Sequence, residues 1–157
     1  MNGNVHLSDS TAALVSKVQS EIKELRRLKY SCSQATFAGI CKGIGCERSD
    51  EELMALSAGF RGGIGCSYNE GSCGAFAAGV MALGMYLPKD NAKAIALSHE
   101  LFCHFKHRLG TVICGNIVYL HGFDECTKCC LCVGEKVTEL LCREQVSIRE
   151  NNNSNNV

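Results

Sequence analysis

Apolar residues recur at spacings of three and four along most of this 157-residue chain, and a single proline, Pro88, interrupts the pattern. That spacing is helical, because residues three and four apart share one face of a helix. No run alternates apolar and polar residues between hairpin turns, so strand signals are weak throughout. The expected fold is all-α: a compact bundle of about six to seven helices, with a glycine-rich loop before the fourth.

Leu14, Val18, Ile22 and Leu25 mark an amphipathic helix over 10–29. Ser31 or Ser33 caps a second, near 32–43, ended by Gly43 and Gly45. Ser49 and Glu52 form a capping box for a third, which carries Leu53, Leu56 and Phe60. Six glycines then fall between Gly59 and Gly74. They demand a loop with unusual backbone angles or close backbone approach. The fourth helix, near 73–87, puts Phe76, Val80, Leu83 and Leu87 on one side and small residues on the other, where a neighbour can come close. Pro88 closes it. The fifth, 90–109, has a stripe of Leu97, Leu101, Phe102, Phe105 and Leu109 and ends at Gly110. A short helix near 112–121 and a long one at about 126–148 complete a single domain over 10–148. Residues 1–9 and 149–157 are expected to be flexible tails, the last seven being too polar to bury anything.

Lysine plus arginine and aspartate plus glutamate both number 16. Such a balance gives no electrostatic reason to bind nucleic acid. No apolar run reaches the length of a membrane span, and the first residues lack the features of a signal peptide. A cytoplasmic location is expected. Against that background the 12 cysteines stand out. In a reducing compartment such residues serve as metal ligands, redox groups or small buried apolar side chains.

Their positions are informative. Cys32 falls in the first turn of the second helix, and Cys73 opens the fourth after Ser72, a candidate cap. Cys114 starts the sixth after Thr111, and Cys126, Cys129 and Cys130 start the seventh after Asp124. A helix N-terminus has free N–H groups and a positive dipole end, which favour thiolate, the nucleophilic and metal-binding form. If these starts converge at one end of a bundle, they make a four-thiolate site. The run Cys126-x-x-Cys129-Cys130-x-Cys132 contains one C-x-x-C of the kind that binds zinc or iron–sulfur clusters, but the second pair of a zinc ribbon is missing. His99, Cys103 and His107 share a face opposite the Leu101/Phe105 stripe: a solvated face, a metal site or a subunit contact. There is no nucleophile elbow and no P-loop, and Gly62-Gly63-Ile64-Gly65 follows no strand signal.

The order Ser31-Cys32-Ser33-Gln34-Ala35, Phe60-Arg61-Gly62-Gly63-Ile64-Gly65, Gly71-Ser72-Cys73-Gly74-Ala75, Met81-Ala82-Leu83-Gly84 resembles the redox-active family named for its C-GCAxxG-C-C cysteine pattern. Leu101-Phe102, Phe105, Leu109-Gly110 and Cys114 extend the likeness, which covers about residues 13–142. The resemblance places three characteristic cysteines on Cys32, Cys73 and Cys114 and the fourth on Cys129 or Cys130, with Cys126 and Cys132 as rivals. Ala78 stands where the motif has its second glycine, Gly79 being displaced by one. Cys41, Cys46, Cys66, Cys103 and Cys142 lie outside the pattern.

The resemblance implies a helical protein with a redox role. A similar domain in split-Soret cytochromes, with its proposed iron–sulfur centre, favours a cluster; no C-x-x-C-H is present for covalent haem. The leading expectation is therefore electron transfer by an iron–sulfur cluster held by Cys32, Cys73, Cys114 and Cys129 or Cys130. Helix dipoles would offset the cluster's negative charge. A metal-free thiol–disulfide oxidoreductase using the same cysteines is the alternative, and a structural metal-binding or partner-binding module the third. The redox partner, whether the chain acts as an enzyme, and homo-oligomer formation are left open.

Overall fold

The computed structural model describes residues 8–144 and 146. Among them the chain forms seven α-helices and no strand: α1 (Asp9–Arg27), α2 (Cys32–Ile44), α3 (Asp50–Ser57), α4 (Gly74–Tyr86), α5 (Asn91–Leu109), α6 (Cys114–His121) and α7 (Glu125–Arg143). A single 3₁₀ turn over Ala58–Phe60 continues α3. None of the described helices is long and apolar enough to cross a membrane. The sequence expectation of an all-α fold holds. Ser8 caps α1, and α7 stops at Arg143 rather than near 148. The expected tails otherwise lie outside the described residues.

The starts of α1, α2, α3 and α5 follow from local chemistry, each carrying a side-chain cap. Ser31 and Gln34 cap α2 reciprocally, and Ser49 and Glu52 do the same for α3. Gly45, at φ 94°, closes α2 in the left-handed region, as Gly110 does for α5. Gly43 does not end α2, contrary to expectation. It sits inside the helix because a Cβ there would lie 2.7 Å from Val18 Cα of α1. At Gly39, one turn earlier, a Cβ would lie 3.0 Å from the Ile22 backbone nitrogen. The two glycines let α1 and α2 touch backbone to side chain.

That close approach makes α2 the centre of the molecule. It packs against α1, α3, α4 and α7, and nearly all its residues from Ala35 to Ile44 are buried. On α4 the buried side is the small-residue side, Ala75, Ala78, Gly79 and Ala82 together with Leu83, while Phe76 and Val80 are only half-buried. Gly79 abuts Val133 of α7 and Leu101 of α5, while its neighbour Ala78 is also fully buried. α5 buries Leu97, Leu101, Phe105 and Leu109 of its expected stripe, while Phe102 is only half-buried.

Between the 3₁₀ turn and α4 the chain runs through turns with an unusual backbone. Gly62, Gly63, Ile64, Gly65 and Cys66 all have φ between 58° and 72°, and Tyr68 has φ 42°. The left-handed region costs an L-residue about 1–2 kcal/mol, so three such non-glycine residues store strain that the surroundings must hold. Backbone bonds do so: Gly65 N–H to Gly59 (2.8 Å), Cys66 N–H to Arg61 (2.9 Å) and Tyr68 N–H to Gly62 (2.9 Å). Ser67 Oγ also donates to the Gly63 carbonyl.

Candidate functional site

Four helix starts meet beside this strained loop. Cys32 is the first residue of α2, held by the Ser31–Gln34 cap, and Gln34 Nε2 reaches across to the Met54 carbonyl (3.3 Å). Cys73 is itself the N-cap of α4. The sequence pointed to Ser72 for that role, and the structure corrects it. Ser72 pairs with Ile113 in an isolated antiparallel bridge, and Cys73 N–H donates to the Val112 carbonyl (2.7 Å). With Ser72 committed to that pairing, α4 begins one residue later. The same bridge brings in α6: Cys114, its first residue, donates its N–H to Gly71 (2.9 Å).

Two glycines make the crowding possible. A Cβ at Gly74 would lie 2.5 Å from the Phe60 carbonyl and 3.0 Å from Cys32 Sγ. At Gly63 one would lie 2.8 Å from Cys114 Cβ. α7 supplies the last wall with Cys126, Cys129 and Cys130, which share a face at helical spacing.

The electrostatics separate these sulfurs into roles. Cys73 is 6 % exposed, yet its thiol is lowered from 9.0 to about 7. The main cause is the Cys129 thiol, which donates to its sulfur; burial opposes this, and the Phe76 and Ala75 N–H groups in the first turn of α4 assist. Cys129 is pushed up, first because its proton is held by Cys73 and then by burial. The two therefore share one proton near neutral pH. Cys114 is pushed up to about 11 by burial and by the nearby Cys73 and Cys32. Cys32 is raised by burial, then by Cys73 and Cys126. Cys126 is raised by burial and Cys73, with Arg26 pulling the other way.

The structure thus brings together Cys32, Cys73, Cys114, Cys126 and Cys129. Cys130 is close by but engaged in packing. It is fully buried, and its Sγ–H faces the Cys126 carbonyl (3.0 Å) and the Cys32 carbonyl (3.5 Å). Burial pushes its thiol up. Cys132 is half-buried and responds chiefly to burial and to Arg108 and Glu135. His99, Cys103 and His107 lie on the exposed face of α5, where Cys103 Sγ is 3.7 Å from His99 Nε2.

A second thiol pair went unnoticed in the sequence. At the end of α2, buried Cys41 meets Cys46 through a side-chain hydrogen bond, and the buried Tyr86 hydroxyl lies against Cys41. The i, i+5 spacing across the Gly45 cap was the available signal, since the closing turn folds Cys46 N–H back onto the Cys41 carbonyl (2.8 Å).

An all-thiol donor set suits an iron–sulfur cluster or another soft metal centre by its chemistry. Its spacing is less suited: among the described residues no three Cys, His, Asp or Glu side chains are arranged to hold a metal ion. All 12 cysteines are free thiols. No curated protein and no solved structure matches the chain. A family model described as "Putative redox-active protein (C_GCAxxG_C_C)" matches residues 30–144, and the chain belongs to that family.

Proposed function

We propose that the chain works as a thiol–disulfide redox protein whose electron store is the Cys73–Cys129 pair. What supports this reading is the placing of Cys73 at the buried start of α4 together with the coupling of its thiol to that of Cys129, which lowers the one and raises the other. A thiolate of pKa near ambient pH is the best attacking group in disulfide exchange, and a second thiol in contact resolves the mixed disulfide. Two electrons leave when the Cys73–Cys129 bond closes and return when an external dithiol reopens it. Cys32, Cys114 and Cys126 surround this pair and can pass a disulfide inward by the same exchange.

The gathering of cysteines from four helix starts favours a second reading, the iron–sulfur cluster expected from the sequence. Cys32, Cys73, Cys114 and either Cys126 or Cys129 would hold it, with Cys130 left to packing. A bound cluster would supply one-electron transfer. The side chains would have to turn toward a common centre.

One experiment tests both. Protein purified without oxygen is assayed for iron and sulfide, then equilibrated in dithiol–disulfide buffers of graded potential, and its linkages are mapped by peptide mass spectrometry. The expected result is a reversible two-electron change with Cys73 linked to Cys129, absent in Cys73→Ser. Stoichiometric iron and sulfide without any Cys73 disulfide would replace the first reading with the second.

A further inference from the structure

A cavity of about 200 Å³ opens beside the cysteine cluster. Cys32, Cys114 and Cys126 are on its wall, and its charged lining is entirely cationic: Arg26, Lys29 and Arg61, with no carboxylate. Among the described residues none of these three cations takes part in an ion pair, although seven other lysines and arginines do. Arg26 is fixed by neutral acceptors instead, the Tyr30 carbonyl (2.7 Å) and Thr127 Oγ1 (3.2 Å). The carboxylate that Cys126 senses, Asp124, is not on the cavity wall. In a chain with equal numbers of acidic and basic residues, three unpaired cations around one concave site form a local positive field.

We propose that this cavity is the entrance for a small anionic substrate, the carboxylate-bearing disulfide of a low-molecular-weight thiol. The inference rests on the thiol–disulfide reading above and adds the substrate class to it. The cations hold the carboxylate, and the disulfide lies against the wall cysteines. The Cys126 thiolate, beside Arg26, attacks one substrate sulfur. The substrate S–S bond breaks, a mixed disulfide forms, and one acidic thiolate leaves and takes a proton from water. A second cluster thiolate then attacks the Cys126 sulfur, closes a protein disulfide and releases the second acidic thiolate. Two electrons pass from the protein dithiol to the substrate.

The test has two arms on the full-length reduced protein. In the first, exchange rates are compared for glutathione disulfide, neutral hydroxyethyl disulfide and cationic cystamine. In the second, alkylation of Cys32, Cys114 and Cys126 by iodoacetate is divided by that with iodoacetamide, peptide by peptide. The quotient cancels thiol nucleophilicity and reads the local field alone. The anionic reagents should be favoured, and the preference should fall about tenfold in Arg26→Gln/Arg61→Gln and with added salt. Lys29→Gln and Arg61→Gln, both at exposed positions, give the same readout should the Arg26 change disturb folding. Lys128→Gln, outside the cavity, should leave it unchanged. Equal preference for anion, neutral and cation, or a quotient untouched by the variants, overturns the proposal while leaving disulfide exchange intact. A field-dependent quotient with no exchange from any disulfide keeps the anion-selective entrance and removes the exchange reading.

Discussion

Replacing Cys129 with alanine removes the proton that the Cys73 sulfur accepts. That contact is the largest influence holding Cys73 at about 7 against an ordinary 9.0. What remains is burial, which raises the value, against two N–H groups of α4, each of which lowers it by less than burial raises it. The Cys73 thiol should therefore rise toward its ordinary 9.0, a change of up to about 3 kcal/mol between its two protonation states. At pH 7 the thiolate fraction falls from about one half to about one in a hundred. Nucleophilicity rises with basicity at a Brønsted coefficient of about 0.4–0.5, recovering roughly six- to tenfold. The net expectation is alkylation of Cys73 slowed about five- to eightfold at pH 7, with the loss vanishing at alkaline pH. Pulsed carbamidomethylation, quantified on the Cys73 peptide from about pH 5 to about pH 10, reads both the rate and the apparent pKa. If the variant keeps its neutral-pH rate and titrates near 7, the Cys129 proton is not what activates Cys73, and the start of α4 acts alone.

Three further outcomes follow from the same geometry. Under anaerobic reducing conditions the lowered Cys73 thiol should contribute about 1–3 kcal/mol of stability that appears between pH 7 and 9, because folded Cys73 has already lost a proton that the unfolded chain still binds; Cys73→Ser should lack this contribution. The other buried thiols oppose it: from about pH 8 upward unfolded thiols ionise while Cys32, Cys41, Cys114, Cys126, Cys129, Cys130 and Cys132 hold their protons in the fold, so total stability should fall at alkaline pH, as urea unfolding of both proteins across pH would reveal. Cys130→Ala should cost about 1–2 kcal/mol in the same unfolding assay but leave the Cys73 alkylation profile in place; a shifted profile would put Cys130 in the centre. Gly63→Ala should cost about 1–3 kcal/mol and alter Cys114 alkylation, since the new Cβ needs a left-handed backbone and meets Cys114 Cβ at 2.8 Å. Unchanged Cys114 reactivity would make the loop merely structural.

The helices were legible because their starts and stops are written locally. Ser31 with Gln34, Ser49 with Glu52, and glycines at 45 and 110 each act within a few residues of themselves. The cysteines at helix starts were legible for the same reason. What could not be read depends on partners distant in sequence. Ser72 looked like a cap until Ile113 claimed it. Gly43 looked like a stop until Val18 filled its missing side chain. Cys126, Cys129 and Cys130 share one face, so periodicity cannot rank them. Only the tilt of α7 against α2 and α4 points one sulfur at Cys73 and gives another to the Cys126 and Cys32 carbonyls. The cationic cavity was invisible because Arg26 and Lys29 lie more than thirty positions from Arg61, and Glu21 and Glu24, which precede Arg26 in sequence, are not on the wall.

The central position of α2 has a bearing on biosynthesis. Its buried surface is completed only when α7 packs on it, and α7 is the last of the seven helices to leave the ribosome. A nascent chain that has already emerged through α4 carries Cys32 and Cys73 with neither their apolar cover nor Cys129. During that interval the uncovered thiols are most open to adventitious oxidation and to pairing with any of their neighbours along the chain. Heterologous production should therefore depend on the reducing power available during translation, and truncation before Glu125 should yield cross-linked aggregate instead of a smaller soluble bundle.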